Sequence, residues 1–306
     1  MSRERLTYPH RRRGLDHDFF PFEPTHLRPP ITWPGGKSVA LWITVPVEFF
    51  PLDAPNGPVK PVGSLEGIYP NFWTYSSRDY GLRIGIYRIM RVLDALGARA
   101  TAIVNAEAAV RFPRIVDEVR VRDWEIAAGG LDMGQVHHEK LEPARERDMI
   151  RRCVDTVSAA SGKPLRGWHS PGYSQSSNTL PLLAEAGIDY VMDWANDDLP
   201  YLMRTDAGPL TAMPLGYELA DRHMLVHHNL SVDEYATQVL RACDRLRAEA
   251  THMKGGRLLS LSVSPWVLGY PHRIATFERL LRSILSSGTI WVATGAEIAD
   301  AFRTNA

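Results

Sequence analysis

What most constrains this chain is a regular exchange between two hydrophobic periods. Short apolar, β-branched runs at 39–47, 100–105, 124–128, 165–168, 189–193, 211–214, 257–263 and 289–293 read as strands, the first of them buried on both faces. Between them the spacing turns helical. Over 80–96, Leu82, Ile86, Ile89, Val92, Leu93 and Leu96 share one face, and Gly97 follows as a stop. Further helices are expected at 105–121 (interrupted at Pro113), 142–160, 178–186, 232–252, 272–285 and 296–302. Short strands alternating with longer helices imply parallel βαβ units. The expected fold is therefore α/β, a closed or nearly closed (β/α) barrel of about seven or eight parallel strands over residues 38–306, rather than an open doubly wound sheet. No Gly-x-Gly-x-x-Gly follows the first strand, so a dinucleotide fold has no support. Residues 1–37 carry Pro9, Pro21, Pro24, Pro29, Pro30 and Pro34 without a helical period and read as an extended N-terminal arm.

A barrel also says where chemistry belongs, just past the carboxyl ends of its strands. Collected in order, those residues are Glu48, Asn105, Asp132 after Gly129-Gly130-Leu131, His169-Ser170-Pro171, Asp193-Trp194 with Asp197-Asp198 beyond, and Ser264-Pro265-Trp266. As a set they predict a polar, aromatic-rimmed pocket for a small-molecule substrate. The Pro/Gly/Ser-rich stretch 51–77 reads as a long loop, and loops of that length are usually functional.

Composition narrows the partners. Thirty-five basic side chains balance 35 acidic ones, which disfavours a nucleic-acid or membrane-surface partner. No run approaches the roughly 18 apolar residues of a membrane span. The basic start lacks an apolar stretch behind it, so a cytoplasmic location is expected. Cys153 and Cys243 are too few for a disulfide framework and are expected to be buried free thiols. Histidine, with 11 copies, is the suggestive residue, because imidazole serves both as metal ligand and as acid or base near neutral pH.

Six ordered segments resemble a known family: Tyr80-Gly-Leu-Arg83, Trp124-Glu-Ile126, Gly167-Trp-His-Ser-Pro171, Asp197-Asp-Leu-Pro200, Ser264-Pro-Trp-Val-Leu-Gly269 and Pro271-His-Arg273. They are similar to the polysaccharide deacetylase superfamily (NodB homology), and within it to the allantoinase-like and cyclic-imide-hydrolase-like branch. The resemblance implies a distorted barrel that cleaves amide-type C–N bonds. In many members it also implies a divalent metal on one Asp and two His, an Asp base and a late His acid.

The sequence departs from that pattern at the chemistry. Glu48 is the one acidic residue of the first motif, with Pro46 where an aspartate is usual. Gly129 and Met133 stand at the two metal-histidine positions, and Ser264 stands where the late motif has His. Gly and Met supply no useful zinc donor. No metal and no other cofactor is expected, although Asp132, one of His137 or His138, and His169 form a conceivable rebuilt site. At most one of two adjacent extended histidines faces inward.

The catalytic candidates are then Glu48, His169 and Asp132. Glu48, buried by Phe49, Phe50 and Trp42, would act as acid or base, or alternatively pair with Arg83 or Arg78. His169 is the candidate proton shuttle. Substrate-binding candidates are Arg83, His138, Trp194, Asp198, Ser264, Trp266 and His272. The leading function is hydrolysis of a non-peptide C–N bond (amide, lactam or imide) in a small molecule without the usual metal. A catalytically silent ligand- or partner-binding protein and a metal-free isomerase or lyase are the alternatives. The arm, by exclusion, suggests a homo-oligomer.

Overall fold

The computed structural model describes residues 17–52, 70 and 72–305. Residues 1–16 of the arm and most of the 51–77 stretch lie outside that range. Nine buried residues make up the central strand β1 (Val39–Val47). Its period of two splits them cleanly. Val39, Leu41, Ile43, Val45 and Val47 pack outward beneath the helices, while Ala40 and Trp42 face a second apolar cluster inside the barrel. Glu48 continues the inward series and so stands at the barrel mouth.

Around β1 run β2 (Thr101–Val104), β3 (Glu125–Ala128), β4 (Gly167–Trp168), β5 (Tyr190–Val191), β6 (Tyr201–Thr205), β7 (Gly208–Ala212), β8 (Arg257–Ser262) and β9 (Ile290–Ala293). Their order is β6-β7-β5-β4-β3-β2-β1-β8, and β9 pairs with the first half of β1. β1 to β5 and β7 to β9 run parallel, eight strands curled into an incomplete barrel. Between β7 and β8 the ladder gives way to a side chain: Ser260 Oγ accepts from Gly216 N at 2.7 Å and donates to Pro214 O at 3.4 Å. Antiparallel β6, an edge strand on β7, was not expected. At the opposite end of the barrel Glu125 accepts from Tyr190 Oη at 2.8 Å, Thr101 Oγ1 at 2.9 Å and Ala296 N at 3.0 Å, forming a polar floor. Burial pushes its carboxyl up despite those donors.

The first helix starts earlier than its hydrophobic period suggests. α1 (Phe72–Tyr80) lies in the stretch expected to be loop, a π-turn spans Gly81–Gly85, and α2 (Ile86–Ala95) follows. Exposed Phe72 and Trp73 give α1 no apolar stripe to read. The π-turn packs on the short helix Pro265–Leu268 through glycine. A Cβ on Gly81 would come within 2.7 Å of Trp266 N, and one on Gly85 would overlap the Pro265 carbonyl. This close approach seats Trp266 at the rim. Gly85→Ala is expected to cost about 1–3 kcal/mol through backbone overpacking, measured by urea denaturation.

The described part of the arm packs on its own barrel. Ile31 and Trp33 belong to the interior cluster, and Trp33 Nε1 donates to Arg257 O at 2.8 Å. Both cysteines are buried free thiols, as expected. Among the described residues no helix is long and apolar enough to cross a membrane.

Candidate active site

His169 follows β4, and Asp193 lies two residues past β5. Parallel pairing of these strands brings the two side chains together, with His169 Nδ1 2.8 Å from Asp193 Oδ1. The same Oδ1 accepts Ser170 N at 2.7 Å, while Oδ2 accepts Gln175 Nε2 at 2.7 Å. A carboxylate only accepts, so Nδ1 carries the proton and Nε2 is left as the basic nitrogen. The Asp193 side chain is almost wholly buried and His169 half-buried, so the imidazole is fixed from the carboxylate side.

Tyr173 covers the imidazole edge-on at 4.6 Å between centroids. Its backbone is left-handed, with φ 58°, an uncommon conformation for a bulky residue that surrounding contacts must impose. Burial pushes its phenol up, Asp193 adds to the shift, and the charges of Arg222 and Glu48 also reach it. Tyr173 is therefore within electrostatic reach of both the dyad and a second group. There Glu48 meets Arg222 at 3.8 Å and Trp266 Nε1 at 3.4 Å. The Arg222 and Arg78 guanidiniums lie over the Trp266 ring at 5.8 and 4.7 Å.

Behind this group lies Asp221, fully buried. It caps the π-turn Arg222–His227 by accepting Arg222 N at 2.7 Å, and its other oxygen accepts Ser264 N at 2.7 Å. Burial pushes its carboxyl up to about 7, against hydrogen bonds from the Ser264 backbone and hydroxyl and the Arg222 backbone.

The expected residues divide. Glu48 and Trp266 meet, His169 is joined to them through Tyr173, and Ser264 has its hydroxyl on Asp221. The partner of Glu48 is Arg222, not Arg83 or Arg78, and Trp42 is turned to the barrel floor, where it donates to Thr101. Arg83 is 74% exposed and faces Asp79 at 3.6 Å. Asp132 spends both oxygens within its own loop, on Gly134 N and Gln135 Nε2. His137 is buried on Glu146, whose carboxyl is held down, despite burial, by His137, Ser176 and Thr179. His138 accepts from Lys140 N near the surface, and exposed His272 lies beside Tyr270. Asp198 is raised by burial and by Asp197 and Glu249, with Arg257 opposing. Since Arg257 opens β8, Asp198 belongs to the other end of that strand. Trp194 serves the dyad indirectly, donating to Gln175 Oε1 at 3.0 Å.

Sequence reasoning passed over Tyr173, Gln175, Asp221 and Arg222. The last two follow no strand and sit in irregular turns, where no periodic signal marks them.

Residues 75–191 match the polysaccharide deacetylase family model. A Schizosaccharomyces pombe (strain 972) protein assigned to the polysaccharide deacetylases is 25% identical over 296 residues, 88% of this chain and 86% of its own. The chain is thus similar to the polysaccharide deacetylases, by the family model over its middle third and by this relative over most of its length. Puue allantoinase shares the NodB-like fold at TM-score 0.82 and 23% identity, over 90% of this chain and 94% of that one. So does a Pseudomonas aeruginosa PAO1 protein assigned to the polysaccharide deacetylases, at TM-score 0.79 and 22% identity over 90% and 95%.

The metal usual to this superfamily does not fit the residues present. A side chain at Gly129 would press on Ile103 and Val104 backbone at 3.1 Å and on Asn105 at 3.2 Å. Ser264 is engaged by Asp221, Asp132 by its own loop and His137 by Glu146. Among the described residues no three His, Cys, Asp or Glu side chains form a group suited to a metal ion.

Proposed function

We propose that this deacetylase-fold chain hydrolyses a non-peptide C–N bond (amide, lactam or imide) in a small molecule, without the superfamily's usual metal. One observation carries the proposal: Tyr173 covers the imidazole of the His169–Asp193 dyad, paired at 2.8 Å, and the charges of Glu48 and Arg222 reach that same phenol. His169 Nε2 takes a proton from water as its oxygen bonds to the carbonyl carbon. Asp193 steadies the imidazolium. Arg222 offers positive charge to the developing oxyanion, and Glu48 accepts the substrate N–H. The C–N bond then breaks and His169 returns its proton to the leaving nitrogen. With no cation to acidify the water, the substrate must be strained or electronically activated.

The test is a panel of lactams, cyclic imides, cyclic ureides, N-acetyl sugars and open-chain amides, followed by product release. Hydrolysis of at least one cyclic substrate, lost in Glu48→Gln, is expected. If a panel compound binds at the rim and none is turned over, the silent alternative stands. The donor-poor residues Gly129, Met133 and Ser264 favour that second reading.

A further inference from the structure

The geometry points to the N-terminal arm as a working part of this site: its aromatic side chains hold Trp194, and through Trp194 and Gln175 they position the His169–Asp193 dyad. The role assigned to the dyad rests on the proposed hydrolysis. Its dependence on the arm stands on contacts alone.

The chain of contacts starts at the surface. His17, Phe19 and Phe20 all pack edge-on against Trp194, with centroids 5.5, 5.9 and 5.6 Å away, and Phe20 also meets Tyr201 at 4.8 Å. The arm is pinned in place by Arg204 N donating to Phe19 O at 2.7 Å and by an Arg28–Asp197 ion pair at 2.5 Å. The indole it encloses has one polar atom, and that atom donates to Gln175 Oε1 at 3.0 Å. A glutamine amide has a donor end and an acceptor end. Fixing its carbonyl on Trp194 turns its NH₂ toward Asp193 Oδ2, 2.7 Å away. Without the indole N–H the amide loses the hydrogen bond on its carbonyl end, and its NH₂ is held by Asp193 alone. Asp193 has almost no water to compensate, so its other oxygen, the one that orients His169, would lose its fixed direction.

Trp194, Gln175 and the arm aromatics are thus positioning residues. Trp194→Phe removes the N–H and retains an aromatic ring, and Phe20→Ala loosens the enclosure without touching the hydrogen bonds. The readout is the His169 Nδ1–H proton in a ¹⁵N-edited spectrum of the full chain, identified by its absence in His169→Ala. In the unmodified protein this proton, held on a buried carboxylate, exchanges slowly with water. Both variants are expected to speed that exchange at least about tenfold while far-UV circular dichroism stays the same. Exchange at the original rate in Trp194→Phe would overturn the link to the dyad, and the original rate in Phe20→Ala alone would overturn the arm's part in it. Because the measurement reads the imidazole and not turnover, failure of the substrate panel would leave it intact.

Discussion

His169→Ala is expected to lower kcat/KM for the C–N substrate by about 10²–10⁴-fold, the usual worth of a positioned acid–base group. Asp193→Asn should fall in the same range for a different reason. Asn can offer its NH₂ to His169 Nδ1 and so favour the tautomer whose Nε2 carries the proton, leaving no base toward the substrate. The two losses should not add in the double variant, because imidazole and carboxylate act as one unit across 2.8 Å. Additive losses would mean that Asp193 acts on something other than His169. All three variants should bind a non-hydrolysed analogue with affinity close to the original, since the dyad serves the reaction more than the ground state.

The second large effect concerns stability. Asp221 keeps its proton up to about pH 7 in the folded chain, because burial opposes the anion, whereas an unfolded aspartate releases it near 3.8. Between those values the folded state binds more protons than the unfolded one. The group's contribution is therefore complete below about pH 4, and it is lost as pH rises through 7. A displacement of about three units corresponds to roughly 4 kcal/mol over the window. Other carboxyls work the opposite way: Asp300, held down to about 2 by Arg166, gains stability as pH rises. The informative quantity is thus the difference between the chain and Asp221→Asn, obtained from urea unfolding at several pH values. Relative to the variant, the unmodified protein should lose stability steadily from pH 4 to 7 and level off above. A difference independent of pH would place the titration elsewhere. The variant must also turn its amide nitrogen toward either Arg222 N or Ser264 N, so even at pH 8 it forfeits one of the two backbone contacts.

Much of the fold was legible because strand and helix carry different periods, and buried parallel strands announce themselves as unbroken apolar runs. β1 and the long helix Val232–His252 come out at their expected limits. β6 escaped because only Met203 in it is fully buried, so it resembles loop until β7 pairs with it. α1 escaped for the same reason. At the site, strand topology pointed to Glu48, His169 and Trp266, since each lies just past a strand; Glu48 and Trp266 meet at 3.4 Å, and His169 pairs with Asp193. It could not say which cation faces Glu48: Arg222 arrives from an irregular turn far along the chain, and Arg83, nearer in sequence, is turned to Asp79. Asp132 and His138 look equally suited in one dimension. They are spent on short-range hydrogen bonds of the kind that polar loop residues make with their own backbone. Tyr173 and Gln175 matter through direction, which composition does not carry.

Histidine abundance first suggested a metal enzyme, whereas the contacts assign the best-placed imidazole to a carboxylate. The decisive measurement is turnover of the identified cyclic amide by protein exhaustively treated with a chelator, with metal content determined on the same sample. Undiminished turnover at far below one metal ion per chain, abolished by His169→Ala, is the predicted result. Turnover that disappears with the metal and returns in proportion to added zinc, nickel or manganese would contradict it.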